Sequence, residues 1–458
     1  MFSEQTYTER RRTLLSKIGD GIILLCGNSE SPANYTNNQY HFRQDSTFLY
    51  YCGLSMPDMA AVLDTQSGRT VLFGNDVTMD DIIWMGPQPS VAELARSVGI
   101  EHSAPLAELQ DTLQKAAAQG RKIHTLPPYR SSTKMQLTAL LGRLPEPSAE
   151  LIRAVVSMRD KKTDEEIEQI EQACETGFLM HTTAMRMCRE GVVERDIAGT
   201  IEGIALSRGA GVSFASIVSQ HGETLHNHCY DGVLQNGRLL LVDAGAEAVS
   251  NYCSDFTRTM PVGGRFSTRQ KEIYDIVYAA NRKAFELSRP GVPYRDVHIA
   301  SGRVIVEGLK ALGLLKGDTD FLVSSGAHSL FMPHGLGHQM GLDVHDMENF
   351  GENFVGYDGE ITRTTDLSAS ACRMGRRLQK GMVVTVEPGI YFIPAYIEKW
   401  KSEGRLKDCI DYTRLESYYD FGGIRIEDDM LITEQGNRVL GKRHVPETAE
   451  EIEAFMAE

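Results

Sequence analysis

The stretch from Met332 to Asp346 reads Met-Pro-His-Gly-Leu-Gly-His-Gln-Met-Gly-Leu-Asp-Val-His-Asp, and it gathers His334, His338 and His345 among glycines and aspartates. Imidazole titrates near neutral pH and is a common metal ligand, so crowding of this kind points to metal binding or acid–base chemistry. A pair spaced like His334 and His338 could grip zinc from one face of a helix. Gly335 and Gly337 argue against a helix, because each costs about 1 kcal/mol there relative to alanine. The expectation is a glycine-rich loop, with strand on one or both sides, in which backbone can approach a ligand closely. A second group lies at His221, His226 and His228.

Acidic partners occur at four places. Leu239-Leu-Leu-Val-Asp243 and Val383-Val-Thr-Val-Glu387 are apolar runs that each end in a carboxylate. Asp255 opens the run Phe256-Thr-Arg-Thr259, and in Gly423-Ile-Arg-Ile-Glu427 the strand period puts Arg425 and Glu427 on one face. A carboxylate buried at such a position is costly unless it is paired or bound to metal. Asp243, Asp255, Glu387 and Glu427 with one imidazole form an oxygen-rich set. That set suits two divalent cations, Mn2+ before Co2+ or Zn2+. Two metals held by bridging carboxylates clamp the attacking and departing atoms of a hydrolysis.

The elements that must position these residues read as α+β. Helices are expected over 4–18, 164–189, 193–208, 268–288 and 295–313, and strands over 21–26, 60–63, 70–73, 213–219, 238–244, 253–262, 382–387 and 423–431. Thr163-Asp-Glu-Glu166 has the pattern of a capping box. Leu144-Pro-Glu-Pro-Ser148 is the best linker candidate. It suggests an α/β domain over 1–158, without a catalytic constellation of its own, and a catalytic domain over 159–458. Residues 391–422 read as an insertion between two strands.

Composition limits the partners. A formal net charge of −15 disfavours nucleic acid and anionic membranes. No apolar run approaches the ~20 residues of a membrane span. The N-terminal residues lack the apolar core of a signal peptide. Eight scattered cysteines without a Cys-x-x-Cys pair suggest free thiols in a reducing, cytoplasmic setting.

In order along the chain, His226, Asp243-Ala-Gly, Asp255-Phe-Thr-Arg-Thr, His334-Gly-Leu-Gly-His338, Asp343-Val-His345-Asp, Glu387-Pro-Gly-Ile-Tyr391 and Gly423-Ile-Arg425-Ile-Glu427 resemble the pita-bread metallopeptidases, specifically the aminopeptidase P and prolidase branch. Phe42-Arg-Gln-Asp-Ser-Thr-Phe48 and Trp84-Met-Gly86 resemble the N-terminal domain of that branch. The resemblance implies a dinuclear-metal exopeptidase that hydrolyses the N-terminal Xaa–Pro bond. It implies Asp243, Asp255, His338, Glu387 and Glu427 as metal ligands, with Asp255 and Glu427 bridging. Glu387 would move the proton, and His345 would steady the oxyanion. His226 and His334 would line the cleft, His226 on the proline side. Arg425 would pair with Asp243, and Tyr391 would be a weaker candidate for the wall. The family also implies a homodimer or higher homo-oligomer, with Trp84 reaching a neighbouring subunit.

Asp243 and Asp255 are one residue further apart than is usual in the family. A bulge or a longer hairpin turn between them is therefore expected, so that both acids still face the site. Two alternatives stay open. One is a prolidase restricted to Xaa–Pro dipeptides, for which the 391–422 insertion and the segment 348–378 speak, the insertion acting as a lid. The other is a non-catalytic peptide-binding module on the same fold.

Overall fold

The computed structural model describes residues 2–458. The chain divides into two compact units, Met1–Arg159 with Glu348–Phe354, and Asp160–Met347 with Val355–Glu458.

The first unit is built on a five-stranded sheet of β1 (Ile22–Cys26), β2 (Ala60–Asp64), β3 (Thr70–Gly74), β4 (His102–Pro105) and β5 (Ile123–His124). Its order is β4-β3-β2-β1-β5, with antiparallel pairs in the middle and a parallel pair at each edge. Ile22, Leu24, Ala60, Val62 and Phe73 pack on Leu109, Leu113 and Leu137 from two helices. The segment Glu348–Phe354 belongs to this unit. Asn349 donates to the Pro127 carbonyl at 2.5 Å, and the Arg153 guanidinium lies 5.2 Å from the Phe354 ring centre.

The second unit carries the residues singled out above. Its strands are β6 (Gly211–Val212), β7 (Ile217–Ser219), β8 (Leu239–Ala244), β9 (Ala246–Glu247), β10 (Phe256–Pro261), β11 (Val383–Val386), β12 (Gly389–Tyr391), β13 (Gly423–Arg425), β14 (Asp428–Ile432) and β15 (Asn437–Val439). The order β10-β8-β7 makes one sheet and β11-β14-β15 another, with β12-β13 as a ribbon that falls between β11 and β14 in sequence. The helices Asp164–Met187 and Glu194–Arg208 pack together, as do Thr268–Leu287 and Tyr294–Ala311. The first begins in the expected capping box: the Thr163 hydroxyl accepts from Glu166 N–H, and the Glu166 carboxylate accepts from Thr163 N–H at 2.9 Å. Leu240, Val242, Met260, Ile273, Val277 and Ile305 are fully buried between helices and sheet. Each such side chain contributes roughly 1.5–3 kcal/mol by leaving water.

Residues 391–422 fold into this core. Ile397, Trp400, Ile410, Leu415, Tyr418 and Phe421 are buried, and Ile410 bridges Leu315. The insertion is a structural filler of the catalytic unit, and the expectation of a lid gives way to that.

Candidate active site

One transverse row of backbone pairing assembles the site. On β8 and β10, Asp243 pairs with Thr257. Thr257 in turn bridges Glu427, each N–H donating to the other's carbonyl, at 3.3 and 3.0 Å. Val386 pairs with Asp428 and Gly389 with Arg425, so the common register sets Glu387 across from Glu427. Regular pairing stops only at these two residues and their neighbours Pro388 and Ile426. Proline has no N–H to give a ladder, so the ribbon opens where the two acids face each other. Asp255, two residues before Thr257, shares its face by the strand period.

The glycine-rich stretch adds itself beside β11. Gln339 bridges Val384, Thr385 N–H donates to the His338 carbonyl at 3.0 Å, and Glu387 N–H donates to the Leu336 carbonyl at 2.8 Å. A Cβ on Gly337 would lie 2.0 Å from the Thr385 carbonyl oxygen, so only glycine allows this approach.

The longer Asp243–Asp255 spacing is taken up by a hairpin, without a bulge. Ser254 N–H reaches the Ala246 carbonyl, Glu247 bridges Cys253, and Ala248 N–H reaches the Tyr252 carbonyl, all in the register of β8 and β10. Asn251 closes the turn at φ 65°, a conformation asparagine tolerates. Both acids therefore stay on one face.

These side chains line one cavity of about 560 Å3. His226, Asp243, Asp255, His334, His338, His345, Glu387, Arg425 and Glu427 all reach it. Tyr391 does not. It is fully buried one layer back, where its hydroxyl accepts from Arg425 Nη1 at 2.7 Å and lies 3.0 Å from His334 Nε2. His334 Nδ1 is 2.7 Å from the Gly335 carbonyl, which can only accept, so Nδ1 carries the proton and Nε2 receives the tyrosine hydroxyl. Arg425 also donates to Asp243 Oδ2 at 2.5 Å and to Thr257 Oγ1 at 3.1 Å, and Thr257 Oγ1 donates to Glu427 Oε2 at 2.6 Å.

The donor set fits divalent cations. Ligand-capable atoms of Asp255, His338 and Glu427 lie within 4.8 Å of one another. His338 Nδ1 is 3.0 Å from the Gln339 carbonyl, which fixes the proton there and turns the Nε2 lone pair toward Asp255, 3.5 Å away, and Glu387, 3.7 Å away. Asp243 Oδ1 and Asp255 Oδ1 are buried with no hydrogen-bond partner. Burial first, then the neighbouring carboxylates, drive the Asp255 and Glu427 acids well above their ordinary range. Glu387 goes the other way. Burial alone would raise it, but His334, His338, Arg425 and His345 bring it net below the usual value. A crowd of buried carboxylates with orphan oxygens, with the Arg425 guanidinium already committed to Asp243, calls for further positive charge.

Two contributors, Arg373 and Thr257, had escaped the sequence. Arg373, from an irregular segment without periodicity, lines the cavity and donates to His345 Nδ1 at 2.8 Å, which leaves the His345 proton on Nε2. His228 also reaches the cavity. Thr257 was within reach, since alternation along the strand puts it on the Asp255 face.

The chain is similar to known proteins over its whole length. The sequence profile of metallopeptidase family M24 matches residues 168–434, and that of the aminopeptidase P N-terminal domain matches residues 7–124. The Xaa-Pro aminopeptidase of Escherichia coli is 32% identical, with 99% of this chain and 98% of that protein aligned. The human Xaa-Pro dipeptidase is 29% identical, over 99% of this chain and 92% of that one. The structure of proline aminopeptidase P II from Yersinia pestis superposes with a TM-score of 0.83 at 31% identity, covering 100% of both chains. The chain belongs to metallopeptidase family M24, in the aminopeptidase P and prolidase branch, with the pita-bread fold and a catalytic centre for divalent metal ions.

Proposed function

We propose that this protein is a manganese-dependent Xaa–Pro aminopeptidase that removes the first residue from peptides beginning Xaa–Pro. The observation that carries the reading is the row Asp243–Thr257–Glu427–Glu387, closed by Asp255 and His338, with its orphan oxygens. Asp243, Asp255, His338, Glu387 and Glu427 would hold two divalent ions, Mn2+ suiting the oxygen-rich set better than Co2+ or Zn2+. Bound there, the ions supply Lewis-acid polarisation and ease the deprotonation of water near neutral pH.

The chain's own groups do the rest. Glu387, held as a carboxylate, accepts the proton of the attacking water and returns one to the departing proline nitrogen. His345, with its proton on Nε2 by virtue of Arg373, donates to the developing oxyanion. His334 is fixed by Tyr391 and Gly335, and it lines the cleft with His226. Arg425 orients Asp243 and, through Thr257, Glu427.

Residues 1–158 are read as the N-terminal domain and 159–458 as the catalytic domain of this enzyme. The helix Met79–Met85 supports a homodimer. It has no buried residue, and Met79, Ile83, Trp84 and Met85 are all more than half exposed. Eight free cysteines support a cytoplasmic location.

One observation favours a prolidase as the second reading. The Arg373 guanidinium on the cavity wall suits the free carboxylate of a dipeptide. Comparing an Xaa–Pro–Xaa tripeptide with a Gly–Pro dipeptide separates the two. The aminopeptidase releases the first residue from the tripeptide, whereas a prolidase cleaves only the dipeptide. Cleavage of neither by metal-loaded protein overturns both.

A further inference from the structure

His226 and His228 reach the cavity from residues 221–231, a largely solvent-exposed strap between β7 and β8. An irregular segment of that length loses considerable conformational entropy when it is held in one place. Both of its ends are held by one carboxylate. Glu194 is the first residue of the helix Glu194–Arg208 and only 3% exposed. Its Oε1 accepts the Gln220 N–H at 2.8 Å and its Oε2 accepts the Gly232 N–H at 3.1 Å. Its own N–H donates to the Gly232 carbonyl at 2.9 Å.

Buried Gln220 repeats the stitch one step outward. Its Nε2 donates to the Val233 carbonyl at 3.0 Å, and its Oε1 accepts the Gln235 N–H at 2.7 Å. Position 232 leaves no room for a side chain, since a Cβ there would stand 2.6 Å from the Glu194 carboxyl carbon. Glu194 itself is not among the cavity-lining residues. One carboxylate takes a backbone N–H from each end of the strap, so this side chain ties the two ends of its base together.

We infer that Glu194 is a positioning residue that holds the His226–His228 strap against the cavity and thereby sets affinity for the peptide. The inference rests on the Xaa–Pro peptidase reading for its substrate, while the tie between Glu194 and the strap stands on geometry alone.

The test compares full-length wild type with Glu194→Ala, Glu194→Gln, Gly232→Ala and the Glu194→Ala/Gly232→Ala pair. Amide exchange over 220–232, bound metal, and KM and kcat on an Xaa–Pro–Xaa tripeptide are measured for each. Glu194→Ala is expected to speed exchange in the strap and to raise KM about tenfold, with the bound metal unchanged. Glu194→Gln keeps one acceptor oxygen and falls between. Gly232→Ala raises KM in the wild-type background and adds little once Glu194 is gone, because the atoms it clashes with have been removed. Unchanged strap exchange in Glu194→Ala overturns the inference, as does an unchanged KM with activity falling only in step with the folded fraction. If wild type turns over no Xaa–Pro peptide, the functional reading fails, and the exchange result alone decides the role of Glu194.

Discussion

Glu387 and Glu427 are the same residue type, facing each other in one row, yet their surroundings push them apart. Glu427 is raised by burial and by Asp255, while the imidazoles and Arg425 keep Glu387 below its ordinary range. Glu387 is thus the acid best kept as a base. Glu387→Gln is predicted to lower kcat by roughly 10^2- to 10^4-fold, the usual worth of a general acid–base group, in a tripeptide assay. Away from the site, fully buried His181 has Nε2 3.0 Å from the Ala244 carbonyl, and burial holds its pKa down to about 4. In the unfolded chain it returns to ~6.5, so between those values the unfolded state binds more protons. Its contribution is complete above ~6.5 and is lost as pH falls toward 4. At about 1.4 kcal/mol per pKa unit the loss approaches ~3 kcal/mol. Urea denaturation across this window, compared with His181→Gln, should show a flatter pH dependence in the variant. At this scale Asp243 and Glu387 were legible in the sequence because they end apolar runs, where a core does not accept an unpaired charge, and Glu427 because the strand period sets it beside Arg425. Arg373 was not, because nothing in its irregular segment predicts where that side chain comes to lie.

At the scale of elements, the site depends on close approach between the glycine-rich stretch and β11. Gly337→Ala places a methyl group against the Thr385 carbonyl and must push His338 away from Asp255. The variant is predicted to lose about 1–3 kcal/mol of stability, as overpacking usually costs, and to bind metal at least tenfold more weakly by equilibrium dialysis. Hydrophobic periodicity located the strands, and the end of 382–387 at its acid was expected, but 423–431 read as unbroken. Its interruption at Ile426–Glu427 follows from the missing N–H of Pro388 in the facing strand, which a single segment does not reveal. The hairpin joining Asp243 to Asp255 was one of two expected outcomes. Asn251, able to adopt φ 65°, is the residue that makes the turn workable.

At the scale of the whole molecule, the chain divides at Arg159–Asp160, just ahead of the capping box, whereas the linker candidate Leu144–Ser148 lies inside the first unit. The return of Glu348–Phe354 to the first unit was not legible in the sequence, because a contact so distant in sequence leaves no local pattern. The apolar face of Met79–Met85 predicts association of chains. Ile83→Asp with Trp84→Asp should shift sedimentation toward the monomer, leaving the far-UV circular dichroism unchanged. Metal would tie the scales together, since bound at the site it would offset the buried carboxylates of Asp255 and Glu427. The most direct test is to strip the protein with chelator, titrate Mn2+ back and follow release of the first residue from an Xaa–Pro–Xaa tripeptide. The account predicts no release by the stripped protein and release that rises with bound metal. Full hydrolysis by the stripped protein, or none with the metal bound, would contradict it.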